Sequence, residues 1–199
     1  MLKWLISTQE VGIYAVASNI SEVWYFLPTA IVSSIFPKLI ELHQSNTELF
    51  QQRISQLINL LFCLALVISI STSFIAKPLI KLLYGQAYYP SGIILMIHMW
   101  ASLFIFMRAA FSKWILIENV PVFSLITQGL GAVSNIVLNL FLIPKYSGVG
   151  AAIATVISYA MASYLSLFFY KKSRPIFWMM SRSFLSPMIY SYKLITSSK

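Results

Sequence analysis

Residues 57–76 read LINLLFCLALVISISTSFIA, twenty consecutive positions without a single charge. At about 1.5 Å per residue, a helix of that length crosses the roughly 30 Å of hydrocarbon in a bilayer. Four further stretches are apolar and long enough, at about 13–36, 91–111, 122–143 and 150–170, the first two carrying one charge each, Glu22 and Arg108. Prolines punctuate them: Pro37, Pro78, Pro90, Pro121, Pro144 and Pro175 lie at or beside a proposed end, where proline starts or stops a helix. Pro28 lies inside the first stretch, and a kink is expected there.

Composition agrees with a membrane protein. Of 199 residues, 59% are hydrophobic and 10% charged, and the mean hydropathy is +0.80. A soluble domain carries about 25% charged residues, so this chain has too little polar surface to cover a water-soluble globule. The 14 Lys and Arg against five Glu give a net charge of +9. A nucleic-acid binder places such an excess on a hydrophilic face, whereas here the cations punctuate apolar runs. The fold class is therefore all-α, a polytopic transmembrane helical bundle.

The connections differ in character. Residues 38–56 are polar, with Leu39, Leu42, Leu49 and Ile54 on one helical face, and predict a short amphipathic helix on the membrane surface. Residues 79–90 are apolar and aromatic and predict a segment returning to the interface. The tail, 173–199, is basic and interrupted, and predicts a cytoplasmic or interfacial segment, with a sixth span as the alternative. Residues 1–6 read as the end of a preceding hydrophobic helix rather than a signal peptide, so Met1 is expected to be an internal start in a longer ancestral frame.

Charge orients the spans. With the tail inside, the inner side holds Lys38, Arg53, Arg108, Lys113, Lys171, Lys172, Arg174, Arg182, Lys193 and Lys199. The outer side holds Lys77, Lys81 and Lys145, and Lys3 is ambiguous. This bias follows the positive-inside rule and predicts a cytoplasmic C-terminus.

No catalytic machinery is legible. Cys63 stands alone, His43 and His98 lie far apart, and no GxGxxG, P-loop or HExxH occurs. No metal site and no cofactor are expected. The informative residues are polar groups inside the spans, because an ionisable side chain in hydrocarbon is a functional candidate by default. Ser18, Glu22, Tyr25, Thr29 and Ser33 follow steps of three and four along one face of the first span, with Asn19 beside them. The fourth span carries Gln128, Gly131, Asn135 and Asn139, and the fifth Thr155, Ser158, Ala162 and Ser166. Glu22, His98 and Asn135 lie about 10–13 Å from the outer ends of their spans and could share one layer. Two readings fit the stripes: helix packing through small and amide residues, or the lining of a water-filled cavity. Glu22, Asn19, His98, Asn135 and Asn139 are the cavity or coupling candidates. Arg108 is a candidate for an anionic substrate group, with snorkelling to the inner rim as its structural reading. Trp24 and Tyr25 are aromatic substrate candidates, against ordinary packing.

Three blocks resemble the polysaccharide-biosynthesis flippases, the O-antigen or capsule repeat-unit translocases of the multidrug/oligosaccharidyl-lipid/polysaccharide exporter superfamily. They are VGIYAVASNISEVWYFLPTAIVSSIFPKLIE (11–41), FIAKPLIKLLYGQAYYPSGIILMIHMW (74–100) and NIVLNLFLIPKYSGVGAAIATVISY (135–159), in family order. The resemblance covers about residues 1–172 and reaches only the family's C-terminal half. It implies the C-terminal lobe of a twelve-span exporter fold, with the five spans as the last five. It also implies a transporter rather than an enzyme, moving undecaprenyl-pyrophosphate-linked oligosaccharide repeat units across the bacterial inner membrane. A family cavity needs two lobes, so a missing N-terminal lobe or a separate N-terminal chain is the expected partner, beside the lipid-linked substrate and the bilayer. Rival readings are a proton- or cation-coupled multidrug antiporter of the same superfamily and a non-transporting fragment or accessory subunit.

Overall fold

A computed structural model describes residues 1–197, with side chains through Leu185. Among the described residues it is helical and contains no strand. After a short turn of helix, α1 (Leu2–Leu5), come α2 (Thr8–Glu22), α3 (Phe26–Ser45), α4 (Thr47–Tyr84), α5 (Ser91–His98) and α6 (Ala101–Ile117). They are followed by α7 (Pro121–Ala160), α8 (Ser166–Phe169) and α9 (Arg174–Ser197). Four stretches are long and apolar enough to cross a membrane: Thr8–Ser45, Thr47–Tyr84, Ser91–Ile117 and Pro121–Phe169.

The fourth stretch is a helical hairpin. Ser147 has φ 49° and ψ −131°, a conformation no helix contains. Beyond it the chain runs back along itself. A Cβ on Gly150 would stand 2.6 Å from the Leu142 carbonyl carbon, and one on Gly131 would stand 2.7 Å from the Ala162 Cβ. These pairs are centred on the same turn, so residues 121–146 and 148–169 lie antiparallel. Each arm, at about 1.5 Å per residue, reaches across a bilayer. Between membrane helices lipid tails are as apolar as leucine, so close approach through small residues supplies much of the association. Gly131, Ala162 and Gly150 provide it here.

Local sequence explains the other boundaries. Ser7 accepts a hydrogen bond from the Glu10 N–H at 3.2 Å and caps α2. Asn46, in extended backbone, accepts one from the Leu49 N–H at 2.9 Å and caps α4. Gly85, at φ 80° and ψ −179°, ends α4 in backbone open essentially to glycine alone. Pro121 opens α7 at its first turn, where a missing N–H costs nothing. The kink expected from Pro28 takes the form of a 3₁₀ turn at Val23–Tyr25. It lies one turn upstream, where the proline ring crowds the carbonyl four residues back.

Three features differ from the sequence expectation. Residues 38–56 form no separate surface helix: α3 and α4 run through them and break only at Asn46. The apolar face of that stretch is consumed by the hairpin, with Leu39, Leu42, Phe50 and Ile54 buried in one cluster. Pro37 and Pro78 do not end helices but lie within α3 and α4. The first part of the tail is not a loose interfacial segment. Ile176 and Met180 of α9 are buried in the main core, Tyr164 stacks on Phe177 at 4.8 Å, and Phe62 meets Phe184 edge-on at 5.0 Å. Ser183 donates to the Asn59 side chain.

The bundle has two distinct ends. His43 and Glu118 meet at 4.0 Å, and a small cleft brings Thr47, Trp114 and Lys172 beside them. At the opposite end the Gly148 N–H donates to Glu10 at 3.2 Å, and Ser91 donates to the Ile13 carbonyl at 2.7 Å. Lys38, Arg53, Lys113, Lys171, Lys172 and Arg174 lie toward the first end; Lys3, Lys77, Lys81 and Lys145 lie toward the second. Two apolar clusters fill the bundle, one around Leu61, Phe106 and Phe111 and one around Ile80, Leu95 and Met99. Between them Ser69 bonds the Met99 carbonyl at 2.9 Å and the Ser102 hydroxyl at 3.0 Å.

The hairpin contact makes a direct test. Gly150→Ala pushes a methyl into backbone that cannot move aside and should destabilise the protein by about 1–3 kcal/mol. It should appear as a lower melting temperature in detergent and less protein in the membrane. Gly129→Ala, on the other arm with nothing within 4 Å of the new atom, should be neutral or stabilising, since alanine favours helix by about 1 kcal/mol.

Candidate functional site

The hairpin arms do not close along their whole length. Between them and α6 lies a cavity of about 370 Å³, lined by Arg108, Gln128, Gly131, Ala132, Asn135, Thr155, Ser158, Tyr159, Ala162 and Ser163. Gln128 and Asn135 of the fourth-span stripe and Thr155 and Ser158 of the fifth border it; Asn139 and Ser166 do not.

Arg108 enters from α6. It is half-buried, and its Nη1 donates to the Ala162 carbonyl at 3.2 Å and to Thr127 Oγ1 at 3.4 Å. Its Nη2 donates to Ser124 Oγ at 3.4 Å. The guanidinium lies 5.9 Å from the Phe111 ring centre. No carboxylate pairs with it among the described residues. This does not match an arginine snorkelling to a rim. Arg108 sits nine residues, about 14 Å, from the Ile117 end of α6, and its head group turns inward to neutral oxygens.

Ala162, whose carbonyl takes one of those bonds, belongs to a five-residue π-helical turn, Met161–Leu165. The Ser166 hydroxyl donates to the same carbonyl at 2.8 Å. Such turns wind the helix wider, leave backbone acceptors without their usual partners, and recur at functional positions. Here arginine and serine supply the missing donors. Neither the turn nor Ser163 within it was legible in the sequence, since no residue pattern marks a π-helical turn.

The asparagines sit on the first arm. Asn139 Nδ2 donates to Asn135 Oδ1 at 2.8 Å. Asn135 borders the cavity, while Asn139 is buried and its own Oδ1 has no partner. On the opposite wall the Tyr14 and Thr155 hydroxyls lie 3.3 Å apart and tie α2 to the second arm.

The first-span stripe faces another way. Asn19, Glu22, Trp24, Thr29 and Ser33 are all exposed, and Thr29 satisfies its hydroxyl only on its own helix, at the Tyr25 carbonyl. None of these five side chains is buried within this chain. Tyr25 is half-buried against the main core, with its hydroxyl buried and unpartnered. Glu22 and Arg108 make no ion pair within 4.0 Å.

His98 belongs to a different environment. It is 3% exposed, its Nδ1 lies 2.8 Å from Ser21 Oγ, and Tyr14 meets it edge-on at 6.0 Å. It joins α5 to α2 and does not border the cavity. Ser21 places it level with Glu22, but facing the protein interior. Among the described residues no group of three His, Cys, Asp or Glu side chains stands in metal-ligating geometry.

Comparison with known proteins gives this geometry a context. Residues 2–93 match the model of a polysaccharide biosynthesis protein family. Over 173 residues the chain is 28% identical to the probable flippase AglR of Haloferax volcanii, an alignment covering 84% of this chain and 36% of that protein. The chain thus spans about a third of the length of the curated relative it matches. No solved structure matches it. Together, the all-helical membrane bundle, the match over residues 2–93 and the likeness to a probable flippase support the polysaccharide-biosynthesis flippase family for this chain.

Proposed function

We propose that the chain forms the C-terminal part of a flippase that carries undecaprenyl-pyrophosphate-linked oligosaccharide repeat units across a bacterial inner membrane for surface polysaccharide synthesis. The observation that carries this reading is Glu22 with its neighbours. An exposed carboxylate, amide and hydroxyl row in a membrane-spanning helix cannot rest against lipid without a large cost. This chain leaves the row exposed, so it faces water or a second polar surface. A second lobe, supplied by a longer chain or a separate one, would close that face into a cavity, and the partial coverage of the relative is compatible with this.

The physical task is to move a polar glycan and a double phosphate through an apolar slab while the lipid tail stays in the bilayer. Hydrated walls of Asn19, Asn135 and Gln128 lower the barrier for the sugar. Trp24, exposed beside the 3₁₀ turn, offers a face for stacking, and Arg108 offers charge to the phosphates. Glu22 is the candidate for a proton or cation response. In this reading His98 positions α2, which carries Glu22, by holding Ser21. The chain works as a transporter, with the Asn46 turn, Lys171 and Lys172 in the cytoplasm, as the distribution of cations favours. The polysaccharide family match favours a glycolipid cargo over an antiporter's drug.

Export of surface polysaccharide in a flippase-deficient strain carrying both lobes tests this. Glu22→Gln keeps shape and hydrogen bonding and should reduce export per membrane-inserted protein several-fold at normal abundance. Glu22→Leu should reduce export at least as much. Because residue 22 is exposed, abundance should fall little. Wild-type export by the Gln variant would remove Glu22 from the mechanism. Abundance that collapses with Leu while Gln exports normally would show that Glu22 only braces a helix contact.

A further inference from the structure

The floor of the cavity holds a hydroxyl that nothing uses. Ser163 is 1% exposed, it borders the cavity, and its Oγ is buried without a hydrogen-bond partner. Leaving a buried hydroxyl unpaired costs about 1–3 kcal/mol, and such groups are rare enough to need a reason. Every other serine of that helix for which a bond is given satisfies itself locally: Ser158 donates to the Ala154 carbonyl at 2.6 Å and Ser166 to the Ala162 carbonyl at 2.8 Å. Ser163 lies inside the π-helical turn Met161–Leu165, where the local geometry departs from that of its neighbours.

Arg108 shows a matching surplus. A guanidinium has five N–H donors. Three are engaged, by Thr127, Ala162 and Ser124, at 3.2–3.4 Å. The Nε–H and one Nη2–H have no partner among the described residues, and no carboxylate neutralises the charge. Gln128 adds an amide at the mouth, donating to Ser124 Oγ at 3.3 Å. The cavity therefore combines an unneutralised cation, spare donors and an unpaired buried hydroxyl, and among its lining residues it has no acidic group.

We propose that Arg108 and Ser163 together form a phosphoryl-anion site, with the π-helical turn positioning Ser163 as the second donor, and that it takes the pyrophosphoryl group of a lipid-linked substrate. Phosphate oxygens accept from Arg in a forked geometry and from a hydroxyl at short range, and both donor types are present on adjoining cavity walls. The proposal deepens the flippase reading and rests on it for the identity of the cargo. It also implies a route outward. Tyr164, next to Ser163 in the same turn, bonds Ser181 of α9 at 2.8 Å, so an anion that draws on Ser163 acts on the residue that holds the tail helix.

The test uses the purified 199-residue chain in discs of zwitterionic phospholipid, titrated calorimetrically with inorganic pyrophosphate and, separately, with an isoprenyl pyrophosphate placed in the disc. Ser163→Ala should weaken binding about tenfold, the loss of one hydrogen bond to a charged group, without lowering the melting temperature of the ligand-free protein, because the hydroxyl it removes has no partner. Arg108→Gln should abolish binding; should it fail to fold, Ser163→Ala still decides the matter. Binding of the lipid-linked probe alone, with the same Ser163 dependence, supports the site and assigns its ligand to the membrane. Unchanged affinity in Ser163→Ala, no binding of either probe to the wild type, or displacement by phosphatidylglycerol would overturn the proposal. Ser163-independent binding beside Arg108-dependent export would leave the flippase reading standing and remove this site. Ser163-dependent binding in a protein that exports nothing would do the opposite.

Discussion

Charge inside a bilayer is the constraint on which the rest of this structure turns. A carboxylate or guanidinium in hydrocarbon must find a counter-charge, a set of hydrogen bonds or water. The bundle solves this in different ways for its two membrane-depth ions. Arg108 is turned inward, bound by Thr127, Ser124 and the Ala162 carbonyl, and left on the edge of a cavity. Glu22 is turned outward, on an exposed face. The first arrangement makes a site within the lobe; the second makes sense only with water or another polar surface beside it.

The cavity exists because of how the hairpin is packed. Gly131 and Gly150 let two helices approach until backbone meets backbone or methyl, and such contacts are short-range and exact in register. Away from them the larger polar residues Gln128, Asn135 and Tyr159 hold the arms apart. A row of glycines and alanines along the whole seam would have closed the cleft. Alternating close contact with polar spacers instead gives a rigid frame around a hydrated gap, and α6 brings Arg108 to its edge. The aromatic cluster of Tyr164, Phe177 and Phe184 then links the π-helical turn to α9, so the wall of the cavity is continuous with the tail.

Much of this was legible in the residues. Apolar runs of about twenty announced the membrane helices, and Lys145, Tyr146 and Ser147 beside Pro144 announced the turn between the last two. The polar stripes of the fourth and fifth spans supply Gln128, Asn135, Thr155 and Ser158 to the cavity wall, and Arg108, singled out as a lone cation in its span, lies beside them. What failed did so for physical reasons. Residues 38–56 have an amphipathic period that fits a membrane surface and a helical hairpin equally well, and tertiary burial of Leu39, Leu42 and Ile54 decided for the hairpin. Pro37 and Pro78 look like stops, yet helices in membranes keep proline where neighbours satisfy the freed backbone. His98 shared a depth with Glu22, but depth does not give azimuth, and Ser21 draws it into the interior. Ser163 was invisible, because a serine in a small-residue helix ordinarily bonds back to its own carbonyl.

The central claim is that the exposed stripe of the first span meets water and not lipid. Thiol accessibility measures it: single cysteines at Glu22, Asn135, Val133 and Val137, in a Cys63→Ser background, treated in sealed membranes with a charged, membrane-impermeant maleimide. Val133 and Val137, exposed and apolar, report the lipid-facing side. The account predicts that Glu22→Cys and Asn135→Cys react readily while Val133→Cys and Val137→Cys do not. Equal protection of all four positions would contradict it, and would make the stripe a dry packing surface.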